Sequence, residues 1–157
     1  MSLVLFNKPV AAEWIDYNGH LNDGYYAQIF SWATDEMLIR IGLDAATRTS
    51  TKRTIYTLET HVRFLSEMKL GEEILVRCEV LERDVKRLRL ILTMHNRSRG
   101  DVVAATSEQL LISVDQSGDS PKTAAWLPSV EAAIAAMPVA TTPWPDHIGR
   151  GIALKRS

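Results

Sequence analysis

The chain has 157 residues, 46% hydrophobic and 24% charged, with a formal net charge of −1 at pH 7. That length suits one domain able to bury about two thirds of its unfolded surface, and the near-neutral balance excludes a global field drawing it to nucleic acid or an anionic membrane. The single cysteine, Cys78, excludes an internal disulfide, no apolar run approaches the ~18 residues of a membrane span, and the absence of a charged-then-apolar start leaves the cytoplasm as the expected location.

A short strand is expected near Leu3–Phe6. From Gly24 to Ile41 the apolar residues Tyr26, Ile29, Phe30, Ala33, Met37, Leu38 and Ile41 recur in steps of three and four, which makes one face of a helix. Asn22 or Asp23 suits its N-cap and Gly42 its left-handed end. A polar loop from Thr47 to Arg53 follows, and then the period changes to two. Runs at Tyr56–Phe64, Ile74–Leu81, Arg87–Met94 and Val102–Val114 each read as a half-buried antiparallel strand with one wet face, joined by short meander connections at 68–72, 84–86 and 97–101. Pro128 to Met137 reads as a short Ala-rich helix opened by one proline and stopped by Pro138, with an extended tail beyond it. The expected architecture is α+β, one long helix against a long antiparallel sheet. It forms one domain over 1–157, with its core at about 3–116 and a C-terminal helix and tail at 117–157.

Chemistry concentrates in Trp14-Ile-Asp-Tyr-Asn-Gly-His-Leu-Asn22, where a carboxylate, an imidazole, two amides and two aromatics directly precede the long helix. Such a place suits attack on a carbonyl: the carboxylate attacks, and backbone N–H groups at the helix start stabilise the oxyanion. Asp16 equally suits an Asx-turn or cap. His20 suits orienting Asp16, donating to the oxyanion or bonding the loop, and Gly19 suits a positive φ. Six of eleven aromatics lie between positions 14 and 32. Tyr26 and Phe30 belong to the core-facing stripe; Trp14, Tyr17, Tyr25 and Trp32 suit either a box for an acyl head or a subunit interface. The four histidines are scattered without a His-Glu-x-x-His or paired-Cys motif, so no metal is expected. Gly-x-Ser-x-Gly and a phosphate-binding Gly-rich loop are absent, so neither a serine esterase nor a resident cofactor is expected.

The string Asp16-Tyr-Asn-Gly-His-Leu-Asn22 ahead of a long helix resembles the active-site loop of hot-dog-fold acyl-CoA thioesterases of the 4-hydroxybenzoyl-CoA thioesterase type. Thr60-His-Val-Arg-Phe-Leu-Ser-Glu-Met-Lys-Leu-Gly-Glu-Glu-Ile-Leu-Val76 is similar to that family's strand–turn–strand segment. The resemblance covers about residues 10–116. Within the family, the loop and Glu59-Thr60-His61 are most similar to the group acting on betainyl-CoA in carnitine breakdown.

The resemblance implies a sheet curled around the central helix and a homodimer, sometimes paired into a tetramer, with active sites between subunits. It implies Asp16 as nucleophile or general base, His20 beside it, and amides near Asp23 and Gly24 as the oxyanion hole. The acyl-CoA side is then expected to draw on Trp14, Tyr17, Asn22, Tyr25, Tyr26, Trp32, Glu59 and His61, with Glu59 as counter-charge to a cationic head. Arg63, Lys86, Arg87, Arg89, Arg97 and Arg99 are the basic residues available to coenzyme A phosphates, or are simply solvated strand ends. Two other readings stay open: a hot-dog hydratase or dehydratase, which usually spaces Asp and His by four residues rather than three, and a non-catalytic acyl-CoA-binding module.

Overall fold

The computed structural model describes residues 2–154. In chain order the elements are β1 (Leu3–Pro9), a 3-10 turn (Ala12–Trp14), α1 (Asp23–Arg40), α2 (Ala45–Thr51), β2 (Arg53–Phe64), β3 (Glu73–Arg83), β4 (Arg87–Asn96), a second 3-10 turn (Arg97–Arg99), β5 (Val102–Asp115), the two-residue β6 (Lys122–Thr123) and α3 (Pro128–Ala135). The strands form one antiparallel sheet in the order β1-β3-β4-β5-β2, with β6 paired to the end of β5. Register breaks interrupt all four main pairings, at Val4/Phe6, Thr57/Glu59, Val80/Glu82 and Met94/His95. Such bulges bend strands and increase their twist, and the sheet curls around α1 as the family resemblance implied.

The helical stripe read from sequence is the one that is buried. Ile29, Phe30, Ala33 and Met37 on α1 join Ile74, Val76, Cys78, Leu88, Leu90, Leu92, Met94, Ala104 and Leu111 of the sheet in one cluster. Within it, the Thr34 hydroxyl lies 2.9 Å from Gln109 Oε1 and ties α1 to β5. Trp126, Val130, Ile134 and Met137 extend the cluster from the C-terminal side. The Trp126 indole N–H donates to the Asp84 carbonyl at 2.9 Å.

Three expectations are corrected. The polar segment at 47–53 is mostly helix α2. Asp44 caps it by accepting from Thr47 N at 2.8 Å, the Thr49 and Thr51 hydroxyls donate back to carbonyls one turn earlier, and Lys52 ends it at φ 56°. No residue of α2 is buried, so an apolar period had nothing to mark. Second, only β3, β4 and β5 form a meander. β2 lies at the edge beside β5, and the connection from Leu65 to Glu72 carries the chain to the opposite side of the sheet. Third, β2 is less buried than expected: only Ile55 and Val62 pack partly against the core, and Tyr56, Leu58 and Phe64 are 40%, 51% and 55% exposed.

The tail beyond α3 packs on its own sheet. Val80 N donates to Pro138 O and Ala140 N to Val80 O, at 2.8 and 2.9 Å. Further on, the Trp144 ring lies 5.3 Å from the Arg89 guanidinium, and Gly149 N donates to Glu108 at 2.8 Å.

Candidate active site

The motif loop is a tight turn closed on itself. Ile15 and Leu21 bridge antiparallel, Asp16 N donates to His20 O at 2.9 Å, and Gly19 N donates to Asp16 O at 3.0 Å. Gly19 sits at φ 76°, the left-handed conformation its lack of Cβ permits. Asp16 Oδ1 accepts from Asn18 N at 2.8 Å and from His20 N at 3.4 Å. The Asx-turn is therefore present, yet it uses one carboxylate oxygen; among the described residues Oδ2 has no hydrogen-bond partner. Asp16 is half-buried, and it lines a cleft of about 610 Å³.

The start of α1 forms a second wall. Asn22 is the N-cap, its side chain accepting from Gly24 N at 2.9 Å, while Asp23 Oδ1 lies 2.8 Å from the same N–H. The Gly24 amide is thus already engaged by side chains. Among the described residues the Asp23 N–H has no acceptor, which makes it the free amide at this helix end. Tyr26, one turn into α1, is buried with its hydroxyl donating to Ser66 O at 3.2 Å and its ring edge-on to Phe64 at 5.3 Å. Burial above all pushes its phenol up to about 12, and the nearby Glu67 charge adds to this, so the ring stays neutral.

The third wall is the stretch Phe64 to Glu67, for which the sequence suggested no role. His20 Nε2 lies 3.0 Å from Glu67 Oε2, Lys69 Nζ is 3.5 Å from the other Glu67 oxygen, and Leu21 N donates to Met68 O at 2.8 Å. The one available signal was position: these residues lie inside the strand–turn–strand segment Thr60–Val76 already singled out.

Other expected site residues lie elsewhere. Trp14 stacks on Tyr25 at 5.9 Å and leans on Trp32 at 5.6 Å, and Trp32 stacks on Phe6 of β1 at 6.1 Å. These rings contact one another and leave Tyr17, 97% exposed, as the only member of the expected box on the cleft. Glu59 and His61 line a separate cleft of about 690 Å³ with Arg87, Arg89 and Glu108. Leu88 and Leu90 point into the core, so Arg89 between them faces the outer side of the sheet.

Most of the basic residues considered for phosphate already have carboxylate partners. Arg89 pairs with Glu108 at 2.5 Å and Glu82 at 2.8 Å, Arg87 with Asp84 at 2.6 Å, Arg99 with Glu72 at 2.5 Å, and Arg97 with Asp101 at 3.9 Å. Among the described residues, Arg63 and Lys86 carry no such pairing.

Residues 10–152 match the family model described as the Thioesterase-like superfamily. The chain is 39% identical over 154 residues to the betainyl-CoA thioesterase of Pseudomonas aeruginosa, covering 97% of this chain and 95% of that protein. It is also 39% identical over 155 residues to the L-carnitine dehydrogenase/betainyl-CoA thioesterase of Agrobacterium fabrum, covering 98% of this chain but only 31% of that longer protein. Among solved structures, a Staphylococcus aureus protein in complex with CoA superposes with a TM-score of 0.89 at 29% identity, over 99% of this chain and 98% of that one.

Proposed function

The chain belongs to the Thioesterase-like superfamily and is an acyl-CoA thioesterase, and from that premise we propose that it hydrolyses betainyl-CoA with Asp16 as the catalytic carboxylate. The observation that carries the role of Asp16 is its divided carboxylate: Oδ1 is fixed by the turn, while Oδ2 is left without a partner in a cleft at the start of α1. Oδ2 attacks the thioester carbonyl directly or takes a proton from a water that does; either way the carbonyl oxygen gains negative charge. The free Asp23 N–H, at the positive end of an 18-residue helix, is the donor for that oxygen. Gly24 N–H joins only where the substrate oxygen displaces Asn22 or Asp23 from it. Collapse of the intermediate expels the coenzyme A thiolate, leaving the free acid or an acyl-Asp16 that water then opens.

A cationic head fits the charge and shape of this cleft. Asp16 and Asp23 put two carboxylates on it, while Tyr17 and Phe64 offer aromatic faces. These two rings replace the stacked Trp14, Tyr25 and Trp32 as the surface for a quaternary ammonium. Arg63 and Lys86 are the arginine and lysine left to meet coenzyme A phosphates. The enzyme acts as one domain over 1–157, in the cytoplasm, as a homodimer joined along β2. No helix among the described residues is long and apolar enough to cross a membrane.

The test is thiol release from betainyl-CoA and from 3,3-dimethylbutyryl-CoA, its uncharged isostere. One or two cation–π contacts favour the cation by roughly 3- to 30-fold in kcat/KM. Equal rates on both would remove the cationic substrate and leave the hydrolase. A change in double-bond absorbance without thiol release would instead favour a hydratase.

A further inference from the structure

We propose that Glu67 is a positioning residue for thioester cleavage, acting by holding the His20 imidazole against the Asp16 turn; this rests on the thioesterase reading above. Glu67 lies three residues beyond the end of β2, and only folding brings it to the loop. Its Oε2 is 3.0 Å from His20 Nε2. Oε2 accepts from Nε2–H and so orients the ring, and among the described residues Nδ1 has no hydrogen-bond partner. The same histidine reaches Asp16 through its backbone, His20 N lying 3.4 Å from Oδ1 and His20 O accepting Asp16 N at 2.9 Å. Fixing His20 thus fixes the turn that aims Asp16.

A positioning residue must itself be held, and Glu67 is. It leads into a connection clasped at its far end by Glu72, whose carboxylate accepts from Lys69 N and Asn96 Nδ2 at 2.8 Å and from Arg99 Nε at 2.5 Å. Val10 N donates to Glu72 O at 2.9 Å and Gly71 N to Val10 O at 3.0 Å, which anchors the connection to the end of β1. Between these points, Leu21 N to Met68 O at 2.8 Å presses it against the motif loop. The connection is thus hydrogen-bonded to β1, to the motif loop and to Asn96 and Arg99, and geometric control of a catalytic group requires such support. Glu67 also faces Lys69, 3.5 Å away, so much of its charge is already answered before any substrate arrives. A counter-ion for a cationic head would be better left unpaired.

The experiment is a mutant cycle read in kcat and KM, with melting curves for each variant. Glu67→Ala is expected to lower kcat about 10- to 100-fold with KM nearly unchanged. Glu67→Gln keeps an oxygen that accepts Nε2–H and restores most of that loss. The His20→Ala/Glu67→Ala pair is no slower than His20→Ala alone, because Glu67 acts through the ring. Two outcomes overturn the proposal: independent, multiplicative losses in the pair, or a Glu67→Gln variant as poor as Glu67→Ala with the damage in KM for the cationic thioester only. Nitrogen-15 NMR of the His20 ring gives a readout independent of turnover. A single Nε2–H tautomer in the wild type that becomes mixed in Glu67→Ala supports the proposal, and an unchanged ring overturns it. Wild-type protein that releases no thiol refutes the thioesterase reading, and the NMR comparison then decides the His20–Glu67 contact by itself.

Discussion

Asp16 serves the turn with one oxygen and the chemistry with the other, and the two roles separate under substitution. Asparagine keeps an oxygen able to accept from Asn18 N, so Asp16→Asn preserves the loop and the melting temperature. It loses the nucleophile or base, and kcat/KM is expected to fall about 10²- to 10⁴-fold. Asp16→Ala loses both, so the thioesterase assay and the melting curve move together; a fully active Asp16→Asn variant would remove the assignment. Cys78 stands at the other extreme. It is fully buried in the core, and burial pushes its thiol up to about 12. Thiolate is the reactive form, so the native protein should resist alkylation near neutral pH and react stoichiometrically once unfolded in urea. Rapid labelling of the folded chain would contradict that burial.

Elements differ in how plainly the sequence announces them, and the difference follows from what each one buries. The stripe of α1 was legible because a helix against a curled sheet hides one continuous face, and its N-cap was legible because Asn22 is a side chain suited to that position. Asn22→Ala is expected to destabilise the protein by about 1 kcal/mol, measured by urea unfolding. α2 buries nothing and was not legible. The sheet edge chosen by β2 was invisible because strand order depends on pairing between distant segments, while alternation reports only local period. The motif loop was read correctly as a polar turn before a helix because its residues are contiguous. Phe64 and Glu67, brought from more than 40 residues away, were not read, and neither was the pairing of Arg87, Arg89 and Arg99 with acids. The Glu72 clasp belongs to this class and has a pH signature. Burial opposes its ionisation, but hydrogen bonds from Lys69 N, Arg99 and Asn96 outweigh it and hold the carboxyl below the usual glutamate range. A group lowered on folding contributes stability above its unfolded pKa and loses it as pH falls through the folded one. The stability difference between wild type and Glu72→Gln should therefore be full near neutrality and shrink as pH drops below about 4. A difference independent of pH would mean the carboxylate charge is not what closes the clasp.

At the scale of the molecule, one edge of the sheet is unfinished. β2 is 12 residues long, pairs among the described residues only with β5, and leaves Tyr56, Leu58 and Phe64 between 40% and 55% exposed. A long edge with exposed apolar side chains invites another strand, and proteins that remain monomeric usually blunt it with bulges, charges or proline. Here the strand carries the bulge at Leu58 and the charges of Arg53, Glu59 and Arg63, but neither lysine nor proline. A second copy related by a twofold axis would satisfy the edge in full and set Phe64 and the Phe64–Glu67 wall at the seam, completing a cleft that is open in one chain. The expected mass by sedimentation equilibrium is a multiple of 17.6 kDa, at least two chains. Leu58→Lys is the diagnostic variant. In a twofold interface the change occurs twice, and losing burial of two leucines at about 1.5–3 kcal/mol each weakens association roughly 10²- to 10⁴-fold. Thiol release should then rise steeply with protein concentration in the variant, as expected of a site completed by a second copy. Wild-type protein that sediments as a single chain at micromolar concentration while fully active would show that β2 is capped some other way and that one chain builds the whole site.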